Sequence, residues 1–462
     1  MNNEIKLLQQ ERCKLNEDYY NNIIPKRIPA EFQVMANVVA EFGGINMIDY
    51  QYEYSLLEKP ARELCKIVYS DKCPVNPASP IGSRNPSYYQ TLGSQTLVMG
   101  KNGFMQHPEV TGMNVEDYDA LIEDPFACIM ERIIPRHCKS LDPTDPIGIQ
   151  RALFMSDSSL KKDLADSLPF VKDLTEEYGY SIGGAPAGSM AFCAAPYDFL
   201  SDQLRGFSGI SMDIRRDRNK IKDACEALTP LMFYAGLPTN PHPQGFVGTP
   251  LHMPTFMREK DFEEIWLPSY IKITQQWASF GVRTSAFCED NWMRYLDHIM
   301  ELPAGTKLLF EYGDPQIIKD NLGKKFMLSG LYPINLIKTG TKQQCVDKVK
   351  ELLDIMLPGG GYEFRLDKLP ISLKDINIEN YIAVIETIRD YAVYDNAGEN
   401  FGTPLNSEGF KFDENIIKPL QSKHLFDWEK FKNDYPLTPD FAQNRFEASN
   451  IEFFKFYMGL LM

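Results

Sequence analysis

The segment Cys288-Glu289-Asp290 sets a thiol beside two carboxyls at the end of an alternating apolar run, GVRTSAFC (281–288). Similar runs end near His252 (GFVGTPLH), near Glu311 and Asp314 (TKLLFEYGD) and near Arg365 and Asp367 (GYEFRLD). Imidazole, thiolate and carboxylate are the groups that bind zinc. A zinc site with an open position would deprotonate a thiol or acidify a bound water or hydroxyl. Each residue also has a simpler reading. Cys288 would serve as a small buried hydrophobe, and His252 as a donor to a loop carbonyl. Asp314 before Pro315 is a good helix start, with Glu311 nearby, and Arg365 would pair with either acid as scaffolding.

These residues matter together only if the elements bring their ends to one place. Strands are expected at 245–252, 281–288, 306–312, 324–330 and 361–366. Helical patterns lie between most of them. DFEEIWLPSYIKITQQWASFG (261–281) has acids in its first turn and a closing glycine, as capping and dipole arguments expect. Thr341 and Gln344 have capping-box spacing at the head of a helix to 357, and 377–394 repeats the amphipathic pattern. Short strand–helix alternation implies parallel strands with right-handed crossovers. The expected architecture is an α/β TIM (β/α)8 barrel with an elaborated N-terminal region and a C-terminal extension. Strand-end residues then lie at the catalytic face, and mid-helix residues are set aside.

Three regions follow. Residues 1–145 hold N-terminal helices, the proline-marked stretch with Pro74, Pro77, Pro80 and Pro86, and a β hairpin turning at KNG (101–103). Residues 146–395 form the barrel core. Residues 396–462 are aromatic-rich, ending FFKFYMGLLM, and are expected to pack on the barrel or on a partner subunit, which makes a homodimer possible. In SMAFCAAPYDFL (189–200), Cys193 reads as core, while Met190, Phe192 and Tyr197 would form a pocket for an apolar or aromatic ligand.

Of 462 residues, 44% are hydrophobic and 24% charged, which excludes a disordered or collagen-like chain. Forty-eight basic against 63 acidic residues leave a net charge of −15, which repels a phosphate backbone and argues against nucleic-acid binding. No apolar run reaches the roughly 18 residues needed to cross a bilayer, and MNNEIKLLQQERCKLNEDYY lacks the order of a secretory signal. Nine cysteines without a CxxC pair fit a reducing cytoplasmic setting. There is no GxGxxG, GxSxG or HExxH motif.

Five ordered segments, LRGFSGISMDIRRDRNKIKDACEALTPLM (204–232), TPLHMPTFMREKDFEEIWLPSY (249–270), SAFCEDNWMRYLDHIMELPAG (285–305), FEYGDPQIIKDNLGKKFMLSGLYPINLIKTGT (310–341) and the segment from GGGYEFRLD (359–367) to 394, resemble the uroporphyrinogen decarboxylase superfamily, a TIM-barrel group. TLVMGKNGFMQHPEVTGMNVEDYDALIEDP (96–125) is similar to the family's hairpin and following helix. The arginine-rich N-terminal segment of the true decarboxylases is matched here only at Arg27, in RIPAEFQVMANVVAEFG (27–43). A tetrapyrrole or related acid as substrate for decarboxylation is therefore the alternative reading. The zinc methyltransferase branch carries His-x-Cys where this chain has Ala286-Phe287-Cys288, and a further Cys where it has Arg365-Leu366-Asp367. FCEDNW (287–292) resembles the longer members of anaerobic O-demethylase systems. The resemblance implies a methyltransferase that moves a methyl group from a small methylated, often methoxylated aromatic, compound to cob(I)alamin, with the cobalamin carried by a separate corrinoid protein. The residues then suggest zinc on His252, Cys288 and Glu311, catalytic roles for Glu289 (proton delivery or ligand orientation), Glu311 and Asp314, and substrate contacts from Met190, Phe192, Tyr197 and Arg365.

Overall fold

The computed structural model describes residues 3–76 and 86–461, so Pro77 and Pro80 lie outside the described residues. Two short parallel strands, β1 (Val34–Met35) and β2 (Val75–Asn76), come first. An antiparallel hairpin follows, β3 (Val98–Met99) and β4 (Met105–Gln106), turning through the KNG segment.

The body of the molecule is a six-stranded parallel sheet: β5 (Met190–Phe192), β6 (Phe246–Leu251), β7 (Arg283–Asn291), β8 (Lys307–Tyr312), β9 (Met327–Gly330) and β10 (Tyr362–Glu363). Its strands are neighbours in chain order, because helical segments return the chain from the end of each strand to the start of the next. Local chemistry sets those helices. Asp314 caps Pro315–Leu322 by accepting from the Ile317 amide at 3.0 Å. Thr341 and Gln344 close a capping box on Lys342–Met356, and the Asn377 side chain caps Ile378–Tyr391.

Strand side chains alternate between two faces, and burial separates those faces here. Val247, Thr249, Leu251, Ala286, Cys288, Leu308 and Phe310 are at most 1% exposed, on the helix-covered face. Phe246, Gly248, Pro250, Ser285, Phe287, Glu289, Leu309 and Glu311 alternate with them and are only partly covered. Met190 and Phe192 on β5 remain 54% and 48% exposed.

The N-terminal end of this second face is closed. Arg283 donates to the Gly305 carbonyl at 2.9 Å and to the Tyr20 carbonyl at 3.0 Å, at the end of the helix Asn3–Tyr20. Lys307 pairs with Glu363 at 2.7 Å, and Arg365 bridges Glu363 at 2.9 Å and Glu31, just before β1, at 3.0 Å. The last long helix, Gln443–Met458, buries Phe454 and Met458 and sets Phe453, Phe454 and Tyr457 around Phe126. Among the described residues no helix is long and apolar enough to cross a membrane.

Candidate functional site

The C-terminal ends of β6, β7 and β8 carry His252, Glu289 and Glu311. Asp198 and Asp202 join them from the helical segment after β5, and Lys368 from the loop after β10. Asp198 is 1% exposed and anchors the start of the β6 loop. It accepts the amides of His252 at 2.7 Å and Met253 at 3.0 Å, and the indole N–H of Trp266. Trp266 belongs to an aromatic cluster with Phe262, Tyr270 and Trp292, so the site rests directly on packed core. Even with three donors, burial and the neighbouring Asp202 push the Asp198 carboxyl above the usual carboxylate range.

Asp202 lies four residues on, in a π-helical turn (Leu200–Arg205), a local geometry that often marks functional sites. Its Oδ2 is 3.3 Å from His252 Nδ1, a contact that raises the imidazole from 6.5 to about 9. Burial opposes that rise, while Glu289 and Asp198 add to it. His252 is therefore an imidazolium at neutral pH, with 42% of its side chain exposed. The Glu289 carboxyl is raised, first by burial; Glu311 and Asp202 repel its charged form, and His252 and Lys368 partly offset them. Glu311 is held on both oxygens, by Lys368 Nζ at 2.6 Å and by the Asp290 amide at 2.9 Å. Asp290 makes that bond with φ of 59°, and Leu331 after β9 has φ of 71°. These two sit at the same end of the sheet; a third, Asn22 with φ of 58°, lies just past the helix Asn3–Tyr20.

The expected residues divide. Glu289 and Glu311 meet, with His252 in electrostatic reach of Glu289. Cys288 does not join them. It is fully buried on the opposite face, within electrostatic reach of Tyr270 in the covering helix, and burial pushes its thiol far up. One peptide unit of strand turns a side chain to the other face, so Cys288 and Glu289 cannot both point into the site. The zinc set His252, Cys288 and Glu311 is not assembled, and its donors do not fit one ion. Among the described residues, the group with ligand atoms within 4.8 Å of one another is Glu259, Glu263 and His298, on the helical segments after β6 and β7.

Asp314 is occupied as a helix cap and Tyr197 is 1% exposed in the core, so neither faces the site. Arg365 is spent on Glu31 and Glu363, and Arg27 is bidentate on Asp71 at 2.6 and 2.8 Å. The arginines expected for a many-carboxylate substrate are thus already paired. Asp198, Asp202 and Lys368 were not anticipated. The i, i+4 spacing of the two aspartates in PYDFLSD was the available signal, since it places both on one helix face.

No family model matches the chain and no curated protein matches it. Among solved structures, a methyltransferase from Methanosarcina mazei matches over 83% of this chain and 98% of its own, at 12% identity and a TM-score of 0.48.

Proposed function

We propose that this chain is a methyltransferase that moves a methyl group from a small methylated compound, a methoxylated aromatic, to the cob(I)alamin of a separate corrinoid protein. The observation that carries the reading is an imidazolium, His252, within electrostatic reach of a carboxyl of raised pKa, Glu289, beside a partly exposed apolar face bearing Met190, Phe192 and Phe287. The segments from 204 to 394 that resemble the uroporphyrinogen decarboxylase superfamily, and FCEDNW (287–292), which resembles its O-demethylase members, support it. In the same reading the six-stranded sheet belongs to a (β/α)8 barrel core over residues 146–395, with β1 and β2 in its N-terminal elaboration, and the enzyme works in the cytoplasm.

An aryl methyl ether resists cleavage because the oxygen leaves as a phenolate. When the acceptor's lone pair takes the methyl carbon, the C–O bond breaks and its electrons pass to oxygen. A proton delivered there lowers the barrier. Glu289 supplies that proton in the present scheme. His252, held charged by Asp202, stabilises the negative charge that develops on the oxygen. Glu311, fixed by Lys368 and the Asp290 amide, keeps the Glu289 proton in place by repelling its carboxylate form. No step passes through zinc, because the donor set for it does not converge. The test is incubation with reduced corrinoid protein and a panel of methoxybenzenes. The expected result is a methylated-corrinoid absorption spectrum with at least one donor; no spectral change across methoxylated, methylamine and thioether donors would overturn the reading.

A further inference from the structure

Gly248 sits in the middle of β6 with Phe192 of β5 on one side and Ser285 of β7 on the other. Glycine in a central strand weakens it, and usually marks a bulge, a left-handed conformation or a close approach. None of these applies here. β6 pairs with β7 in unbroken register from Phe246 to Leu251, and Gly248 is not among the positive-φ residues. A Cβ added at Gly248 would meet nothing nearer than Phe192 Cδ2 at 3.4 Å, with Ala191 O and Phe246 Cε2 at 3.8 Å. That is ordinary van der Waals contact, so the fold has room for a side chain that the sequence leaves out. Other glycines contrast with it: a Cβ at Gly245 would lie 2.1 Å from Ser189 O, and one at Gly330 would lie 2.3 Å from Phe310 O.

The space is bounded in a specific way. Ser285 beside Gly248 is also small, and Phe246, Pro250, Phe192 and Phe287 are partly exposed apolar residues around the pair on the same face. Glu289 is two residues beyond Phe287 toward the open end, again on that face.

We propose that Gly248 is a specificity-determining residue whose missing side chain leaves a slot, floored by Gly248 and Ser285 and walled by Phe192 and Phe246, for the flat apolar body of the substrate. This rests on the proposed methyltransferase site and names what binds beneath it. Aromatic walls favour a ring that stacks or meets them edge-on, and the rim groups then reach the polar atom on the ring.

Calorimetric binding of 1,2-dimethoxybenzene to the full chain, with no corrinoid protein present, tests the slot apart from turnover. The native chain is expected to bind, Gly248→Ala to bind several-fold more weakly, and Gly248→Val to lose at least tenfold. Gly248→Val should melt no lower than the native chain, because a β-branched residue suits a strand whose neighbours leave it space. Tighter relative binding of methanol-sized methyl ethers by the valine variant would support the same assignment. Undiminished binding of the aromatic probe by Gly248→Val, or no binding of it by the native chain, would overturn it. Binding that depends on Gly248 without any methyl transfer would instead count against the function and leave the slot standing.

Discussion

Two groups of charged residues lie on the same face of one sheet, a few strand residues apart, and they behave oppositely. At the closed end, Lys307, Glu363, Arg365 and Glu31 pair at 2.7–3.0 Å, with side chains no more than 19% exposed. The Glu363 carboxyl is held far below its usual range by Arg365 and Lys307 against a heavy burial cost. At the open end His252–Asp202 is 3.3 Å and Glu311–Lys368 is 2.6 Å, with 42% of the His252 side chain and 59% of the Lys368 side chain exposed, and Glu289 is raised rather than lowered. Both ends use glutamates and a lysine; the closed end adds an arginine, the open end a histidine and an aspartate. What separates a girder from a reactive site is how far its paired charges are shut away from water. The closed end locks its charges into ion pairs, whereas the open end sets an imidazolium raised to about 9 near a carboxyl that burial raises.

The largest expected effect falls on the closed end. Glu363→Ala strands the Lys307 ammonium and the Arg365 guanidinium in a buried setting, and should cost roughly 3–5 kcal/mol in a denaturant melt. A melt within about 1 kcal/mol of the native chain would erase the contrast. Next comes Asp202→Asn, which removes the main cause of the raised His252 pKa. An NMR titration should then move His252 from about 9 back toward its ordinary value near 6.5. The sign for stability follows: the His252–Asp202 contact contributes fully below the unfolded value near 6.5 and is lost as pH rises through about 9. The native chain should therefore lose stability relative to Asp202→Asn over that interval. The smallest effect is at Asp314, a cap away from both groups. Asp314→Ala should cost about 1 kcal/mol and leave turnover unchanged.

Much of the sheet was legible in the sequence. The strand expected at 245–252 runs from Phe246 to Leu251, that at 306–312 from Lys307 to Tyr312, and the Thr341–Gln344 capping box forms. These segments carry periodicity and caps, which act locally. The site was legible only where a residue sits at a strand end, as His252, Glu289 and Glu311 do. Cys288 was grouped with Glu289 by adjacency, although strand alternation forces adjacent residues apart. Asp198 and Asp202 lie on a helical turn, away from the strand ends at which the sequence pattern points. What makes them count is distance in space, from Asp202 to His252 across fifty residues of chain, and no local pattern encodes that.

Methyl transfer measured in parallel on Glu289→Gln and Cys288→Ala tests the central claim most directly, since one peptide bond separates the two positions and the sheet separates their side chains. Loss of about a hundredfold or more in the glutamine variant, the size of a missing proton donor, with the alanine variant nearly as fast as the native chain, is the predicted outcome. The reverse pattern, an inactive alanine variant beside an undiminished glutamine one, would contradict it.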